Sequence, residues 1–176
     1  MQYTTHYTSP LGKLILACDD IGLVGLWFAG QKYEAAGLMD AHTQEHPILE
    51  QTKNWLDIYF TGKEPDFFPP LHASGSDFRK EVWEILCTIP YGETITYGDI
   101  AQQIAQKQGR KRMSAQAVGG AVGHNPIGII VPCHRVVGTN GSLTGYAGGI
   151  QRKLTLLKLE GIDVSKFTIP TKGTAI

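Results

Sequence analysis

The chain has 176 residues, of which 42% are hydrophobic and 18% are charged, a composition typical of a folded globular protein and not of a disordered one. No apolar run approaches the roughly 20 residues needed to cross a bilayer, and the first ten residues lack the basic and apolar regions of a secretory signal. Three widely spaced cysteines form no CxxC pair, so we expect reduced thiols in a cytoplasmic protein without membrane contact.

The net charge is zero at pH 7, but the charges are unevenly distributed along the chain. Residues 1–77 contain four Lys and Arg against ten Asp and Glu, whereas residues 78–160 contain ten against five. This asymmetry favours a second half that faces a polyanion such as DNA. Chance unevenness on two solvated surfaces is the alternative.

Three strands and one helix are predicted in the first half. Residues 1–30 contain three β-rich runs separated by turn residues. Apolar residues at helical spacing predict a helix over 47–60, with Pro47 in its first turn and Gly62 beyond its end. The segment 61–77 is rich in Pro, Gly and Ser and is predicted to be a linker.

Helices dominate the start of the second half. A helix over 76–89 places Cys87 one turn after a tryptophan, which predicts a packed, unreactive thiol. Thr96 is expected to cap a short helix that ends at Ile104. A second short helix over 114–122 follows a basic turn, and the pair has the outline of a helix-turn-helix.

The second of these short helices is unusually bare. Its sequence, "SAQAVGGAVG", has small side chains and adjacent glycines, each of which weakens a helix by roughly 1 kcal/mol relative to alanine. Such a helix can approach another surface closely. That surface is either a ligand or another helix of the same domain.

Residues 129–138, "IIVPCHRVVG", place Cys133, His134 and Arg135 between two strand-like apolar runs. The thiolate is the nucleophilic form of cysteine, and nearby positive charge lowers a thiol pKa. Consecutive side chains of an extended strand point to opposite faces, so His134 reaches Cys133 only across a bend or through a water. The dipeptide alone also fits a buried, inert cysteine.

The residues after this stretch are predicted to form turns and a final helix. Thr139-Asn140-Gly141 is a hairpin signal. The glycine-rich segment 145–149 either lets backbone N–H groups approach a ligand or serves as a plain connector. The closing helix carries several leucines and ends near Glu160.

Taken together, these stretches resemble a known family. "AVGGAVGHNP", "VPCHRVVG", "GYAGG" and "LLKLEG" are similar to the motifs of O6-alkylguanine-DNA alkyltransferases, the methylated-DNA–protein-cysteine methyltransferases, and the similarity runs from about Phe78 to Gly161. It implies an α/β fold with a ribonuclease-H-like N-terminal α/β domain and linker over 1–74. A winged-helix (helix-turn-helix) C-terminal domain over 75–162 and a tail over 163–176 would follow.

The resemblance also implies a single-turnover reaction on double-stranded DNA. The damaged guanine would be flipped out from the minor groove, and its O6-alkyl group would pass irreversibly to a cysteine. O4-alkylthymine stays open as a second substrate. No cofactor is expected. One lesion and one cysteine require one chain, so we expect a monomer.

Roles are carried over from the family by matching motif. Cys133 would accept the alkyl group, His134 would draw off its proton through a water, and Glu160 would orient His134. Tyr97 would donate a proton or a hydrogen bond to the departing guanine. Arg135 is expected to brace the surrounding fold. The residues implied in binding the flipped base or the duplex, or in shaping their surroundings, are Gln116, Asn125, Val136, Tyr146, Ala147, Ser114, Gly119, Gly120 and Arg135.

The chain departs from the family pattern at two positions. Gln116 stands where an arginine commonly fills the gap left by the flipped base, and Ala147 stands where serine is frequent. Some members hold zinc in the N-terminal domain, but the sequence has no matching Cys/His set, so no metal is expected.

Three other readings compete with alkyl transfer. A winged-helix regulator would leave Cys133, His134, Tyr97 and Glu160 without a use. A lesion binder without chemistry would lack the acceptor cysteine, which this chain keeps. A cysteine hydrolase would turn over repeatedly and would need no DNA.

Overall fold

The computed structural model describes residues 1–170, so residues 171–176 of the predicted tail lie outside the described part of the chain. The described residues form two compact units. The first contains residues 1–74 and 126–130, and the second contains residues 75–125 and the described residues from 131 onward.

The first unit is a small sheet with one helix. Strands β1 (Tyr3–Ser9), β2 (Gly12–Cys18) and β3 (Leu23–Phe28) pair antiparallel in chain order, and the two-residue β4 (His42–Thr43) lies parallel to β1. Helix α1 (Pro47–Tyr59) packs against the three long strands with its buried apolar stripe. The predicted strands and helix are therefore confirmed.

The predicted linker is partly structured. The Leu23 N–H donates to the Pro70 carbonyl and the His72 N–H donates to the Leu23 carbonyl, each at 2.7 Å, so this part of the segment runs alongside β3. The His72 imidazole also lies 2.6 Å from the Asp19 carboxylate. These bonds satisfy the free edge of β3, which the sequence pattern did not reveal.

Residues 126–130 belong to the first unit. The Leu26 N–H donates to the Pro126 carbonyl at 2.8 Å, and the Gly128 N–H donates to the Leu26 carbonyl at 3.0 Å. The strand predicted before the cysteine is wrong, because residues 128–130 form a turn. Ile129 has φ +66°, a left-handed conformation that a β-branched residue rarely adopts.

The second unit is mainly helical. It contains α2 (Asp77–Leu86), β5 (Ile95–Thr96), α3 (Tyr97–Lys107), α4 (Ala115–Gly123), β6 (Val136–Val137) and α5 (Ile150–Leu159). Helices α2, α3 and α4 pack on one another, and β5 pairs with β6 in parallel. The helix pair predicted as a helix-turn-helix is present, with α3 continuing past its predicted end.

The prediction that Cys87 is packed is wrong. Helix α2 ends at Leu86, and Cys87 is its exposed C-cap residue. The predicted packing assumed that the helix continued to residue 89. Trp83, one turn earlier, is buried, and its Nε1 donates to the Ala121 carbonyl at 2.8 Å.

The prediction of a hairpin at Thr139–Gly141 is also wrong. These residues form a short 3-10 turn in which Asn140 has φ +69°. The Gly138 N–H donates to the Ser142 carbonyl at 2.8 Å and closes the turn. Within residues 1–170, β6 pairs in parallel with β5 and not with a strand after this turn.

The start of α3 is fixed by a capping box. The Thr96 hydroxyl accepts from the Asp99 N–H and the Asp99 carboxylate accepts from the Thr96 N–H, both at 3.0 Å. Tyr97 is therefore the first residue of a helix whose starting point is well defined.

We predict that Thr96→Ala lowers the free energy of unfolding by about 1 kcal/mol, because it removes the cap of α3. Urea unfolding would measure the loss. Thr155→Ala is the matched control, since the exposed Thr155 hydroxyl only donates to the Gln151 carbonyl within α5, at 2.9 Å. Equal losses in both variants would contradict a special role for the cap.

Candidate active site

Cys133 lies in a buried bend. Residues Cys133–Arg135 form a single 3-10 turn, and the Arg135 N–H donates to the Pro132 carbonyl at 3.0 Å. Cys133 is 8% exposed and His134 is fully buried. The turn removes the alternation of an extended strand, so the objection to cooperation between neighbouring side chains does not apply.

The Glu160 carboxylate organises the surroundings of this turn. Glu160 is the C-cap of α5, and its Oε2 lies 2.5 Å from His134 Nε2. Its Oε1 accepts from Arg135 Nε at 2.7 Å and from the Gly92 N–H at 3.1 Å. Burial alone would raise the Glu160 pKa, but the bonds to His134 and Arg135 outweigh burial and lower that pKa to about 2.

His134 has the electronic form of a base. Burial lowers its pKa, against the opposing effect of the Glu160 carboxylate, so the imidazole is neutral at neutral pH. Since the ionised Glu160 carboxylate only accepts, Nε2 carries the ring proton and Nδ1 carries the lone pair. This arrangement fits the predicted pair of His134 and Glu160.

Arg135 is held inside the unit. Its Nη1 donates to the Ile89 carbonyl at 2.7 Å, its Nε donates to Glu160, and its guanidinium lies 5.7 Å from the centre of the Tyr91 ring. The guanidinium therefore links the cysteine turn to Glu160 at the end of α5 and to the backbone at Ile89. It is buried, and the described contacts do not direct it to a surface that a duplex would reach.

The Cys133 thiol is surrounded by polar groups. Its pKa is raised, because burial outweighs the lowering effects of a hydrogen bond with the Asn125 side chain and of the Lys153 charge. Asn125 is itself buried, and its Nδ2 donates to the Val131 carbonyl at 2.8 Å. Asn125 thus holds the chain that leads into the cysteine turn.

Two tyrosines complete the candidate site. The Tyr97 hydroxyl donates to the Thr144 carbonyl at 2.9 Å, and burial raises the Tyr97 pKa to about 12, so the phenol keeps its proton. The Tyr146 ring stands edge-on to the His134 ring at 6.5 Å. Gly145 has φ +73°, and a Cβ there would lie 3.1 Å from the Tyr97 hydroxyl, so glycine fits this position best.

The sequence analysis missed Lys153. Its side chain is fully buried, and its Nζ donates to the Val136 carbonyl at 2.5 Å and to the Thr144 carbonyl at 3.0 Å. The signal was available, since Lys153 lies at helical spacing between the buried Ile150 and Leu157. The backbone around Val136 was predicted to contact the base, and its carbonyl already accepts a hydrogen bond within the protein.

The remaining predicted residues lie in the glycine-rich turn and on α4. Ala147 is partly buried in a turn closed by the Gly149 N–H and the Tyr146 carbonyl. Ser114 caps α4 by accepting from the Ala117 N–H at 3.1 Å. Gln116 is exposed. A side chain at Gly119 would make an ordinary contact with the Tyr97 ring, and a side chain at Gly120 would meet no atom of the protein, so packing within the unit does not require glycine at either position.

A basic turn joins α3 and α4. Arg110, Lys111 and Arg112 are exposed and line a cleft of about 410 Å³ together with small and amide side chains of the two helices. Within residues 1–170, no group of three or more His, Cys, Asp or Glu is placed to hold a metal ion, and no helix is long and apolar enough to cross a membrane.

We predict that Glu160→Gln destabilises the protein by roughly 3–5 kcal/mol at pH 7, because it leaves the Arg135 charge buried without its partner. The pKa of Glu160 is lowered from 4.5 to about 2 on folding, so its stabilising effect is present above pH 4.5 and is lost as the pH falls towards 2. Urea unfolding of wild type and variant should therefore converge at low pH. The exposed Glu93→Gln is the control, and a difference independent of pH would contradict the assignment.

Comparison with known proteins identifies the family of the chain. Residues 2–73 match the family model "6-O-methylguanine DNA methyltransferase, ribonuclease-like domain", and residues 77–162 match its "DNA binding domain". The methylated-DNA–protein-cysteine methyltransferase of Mycobacterium leprae is 45% identical over 86% of this chain and 88% of its own. The one from Methanosarcina acetivorans is 42% identical over 90% and 98%.

Solved structures give the same result. The crystal structure of Mycobacterium tuberculosis O6-methylguanine methyltransferase superposes with a TM-score of 0.78 at 44% identity, covering 91% of this chain and 93% of that one. M. tuberculosis OGT in complex with DNA gives 0.75 at 42% identity, covering 94% of each chain. The sequence resemblance is confirmed: the chain is a mixed α/β protein that belongs to the 6-O-methylguanine DNA methyltransferase family.

Proposed function

We propose that the protein repairs DNA by direct and irreversible transfer of an alkyl group from O6-alkylguanine to Cys133. The observation that carries the proposal is the buried 3-10 turn that places Cys133 beside His134, whose Nε2 is held 2.5 Å from Glu160. The names of the similar proteins, methylated-DNA–protein-cysteine methyltransferases, support the same chemistry.

The reaction begins with removal of the thiol proton. His134 Nδ1 takes the proton of Cys133 through one water, and the Glu160 carboxylate stabilises the resulting imidazolium. The thiolate then attacks the alkyl carbon. A sulfur–carbon bond forms, the bond from that carbon to O6 breaks, and the electron pair of the broken bond stays on the guanine.

The guanine needs assistance because it leaves as an anion. In this structure the Tyr97 hydroxyl donates to the Thr144 carbonyl. When a flipped guanine is bound, the hydroxyl rotates and donates its proton or a hydrogen bond to the departing ring. The product is a thioether on Cys133. Neither His134 nor water hydrolyses a thioether, so each protein molecule acts once.

Access to the lesion requires DNA binding and base flipping. Residues 75–162 act as a winged-helix unit that meets the minor groove with α4, whose small side chains permit close approach. Extruding the damaged guanine costs a few kcal/mol. The exposed Arg110, Lys111 and Arg112 contact phosphates, which makes affinity depend on salt. The solved M. tuberculosis complex supports DNA as the partner.

The flipped base lies against the glycine-rich turn and the cysteine turn. Tyr146 lines the pocket, the backbone at Ala147 and near Val136 contacts the base edge, and Asn125 maintains the approach to Cys133. Gln116, the exposed second residue of α4, enters the gap left in the duplex. The surface of α4 that faces the groove includes its N-cap Ser114 and the adjacent glycines Gly119 and Gly120.

The chemistry also suggests where and how the protein works. Transfer requires a free thiol, and all three cysteines are free, which favours the reducing cytoplasm. A single acceptor and a single lesion favour a monomer. A non-catalytic DNA or lesion binder would have no use for the buried pairing of His134 with Glu160 beside a cysteine.

We predict that incubation with O6-methylguanine DNA adds one methyl group, on Cys133 alone. Cys18 is buried, and burial raises its pKa to about 11; the pKa of Cys87 is raised by burial and by the charge of Glu84. Mass spectrometry with peptide mapping would locate the methyl. Cys133→Ser should abolish transfer but retain lesion binding. Repeated turnover with excess DNA, or a methyl on another cysteine, would overturn the mechanism.

We predict that Gln116→Arg speeds repair of duplex DNA, because the guanidinium plane stacks on bases better than an amide does. Gln116→Ala should slow it, by an amount on the order of the 1–3 kcal/mol of one stacking contact. Rates with the free base O6-benzylguanine, which needs no flipping, are the internal control and should not change. Equal duplex rates in all three proteins would show that a neighbour such as Arg112 enters the gap instead.

A further inference from the structure

Lys153 is a buried cation in an unusual position. It lies on α5 and is fully buried, although lysine normally keeps its ammonium in water because desolvation of a charge is costly. A buried ammonium therefore needs compensating partners, and their identity indicates what the residue does.

The direct partners of this ammonium are neutral. Nζ donates to the carbonyls of Val136 and Thr144, at 2.5 and 3.0 Å. Within residues 1–170, no carboxylate forms a salt bridge with it. The buried Glu160 carboxylate instead accepts from His134 and Arg135.

With Lys153 protonated, the charges around Cys133 balance when the thiol is ionised. Arg135 and Lys153 are buried cations, Glu160 is a buried anion, and the Cys133 thiolate is the second anion that makes the set neutral. The charge of Lys153 lowers the pKa of Cys133, and burial lowers the pKa of Lys153 to about 8. The titratable and charged groups that face this cluster from the packed elements are Tyr97, His134, Arg135, Tyr146, Arg152, Lys153 and Glu160.

We propose that Lys153 is the counter-cation of the Cys133 thiolate, a positioning residue whose ammonium is held in place by the Val136 and Thr144 carbonyls. The Thr144 carbonyl also receives the Tyr97 hydroxyl, so the counter-cation and the leaving-group acid share one anchor. The role rests on the proposed transfer to Cys133, which it deepens by naming what stabilises the nucleophile before the substrate arrives.

The test measures the thiolate directly and needs neither DNA nor an alkylguanine. In a Cys87→Ser background, which removes the exposed thiol, the rate of Cys133 carboxamidomethylation by iodoacetamide is followed against pH by peptide mass spectrometry. Lys153→Met should shift the profile to higher pH by about one unit and slow the reaction roughly tenfold on its acid side, with an unchanged plateau. Lys158→Met, an exposed lysine on the same helix, should leave the profile in place.

A lowered melting temperature with an unmoved profile would overturn the proposal and make Lys153 purely structural. If Lys153→Met does not fold, wild type answers the question by NMR titration of the Lys153 side chain. Carboxamidomethylation of Cys133 removes the anion, so the Lys153 pKa should fall, and an unchanged value would overturn the proposal. The two proposals can fail separately. If Lys153→Met shifts the pH profile as expected but the wild-type protein accepts no methyl group from DNA, the proposed function is rejected and this inference stands.

Discussion

The candidate site depends on one buried carboxylate. Glu160 accepts hydrogen bonds from His134, Arg135 and the Gly92 backbone, so the end of α5, the cysteine turn and the loop before β5 meet at two oxygen atoms. Each of these segments is short and would be poorly fixed alone. Because Glu160 is the C-cap of α5, the position of that helix sets the orientation of the imidazole.

The second constraint is the bend at Cys133. A strand would separate the thiol from the neighbouring ring, whereas the 3-10 turn buries both and leaves the following two residues to pair with β5. The turn is preceded by residues 126–130, which belong to the first unit and include Ile129 at positive φ. Backbone strain of this kind persists only where the surrounding structure determines it.

Much of the fold could be read from local patterns. The strands of the first unit, α1 and the cap at Thr96 follow from alternation, helical spacing and hydrogen-bonding side chains, all of which act over a few residues. The errors involve contacts between distant residues. The end of α2 at Leu86, the pairing of residues 70–72 with β3 and the parallel pairing of β6 depend on partners that no local pattern specifies.

The candidate site shows the same division. The resemblance supplied the cysteine, histidine, glutamate and tyrosine, but the network that joins them had no local signal. Lys153 was overlooked because a lysine within an apolar helical stripe is usually taken as a solvent-facing residue. The hydrogen bond from Arg135 to the Ile89 carbonyl joins residues 46 positions apart in the chain, so no local pattern indicated it.

The tight burial of Cys133 has a cost that appears only after the protein has acted. Cys133 is 8% exposed, and the nearby side chains of His134 and Val136 are fully buried. Replacing the thiol hydrogen by a carbon substituent adds volume to a packed interior, and overpacking of this kind costs typically about 1–3 kcal/mol. We therefore expect a protein alkylated at Cys133 to be less stable than the one with a free thiol, with a lower unfolding temperature for a larger group.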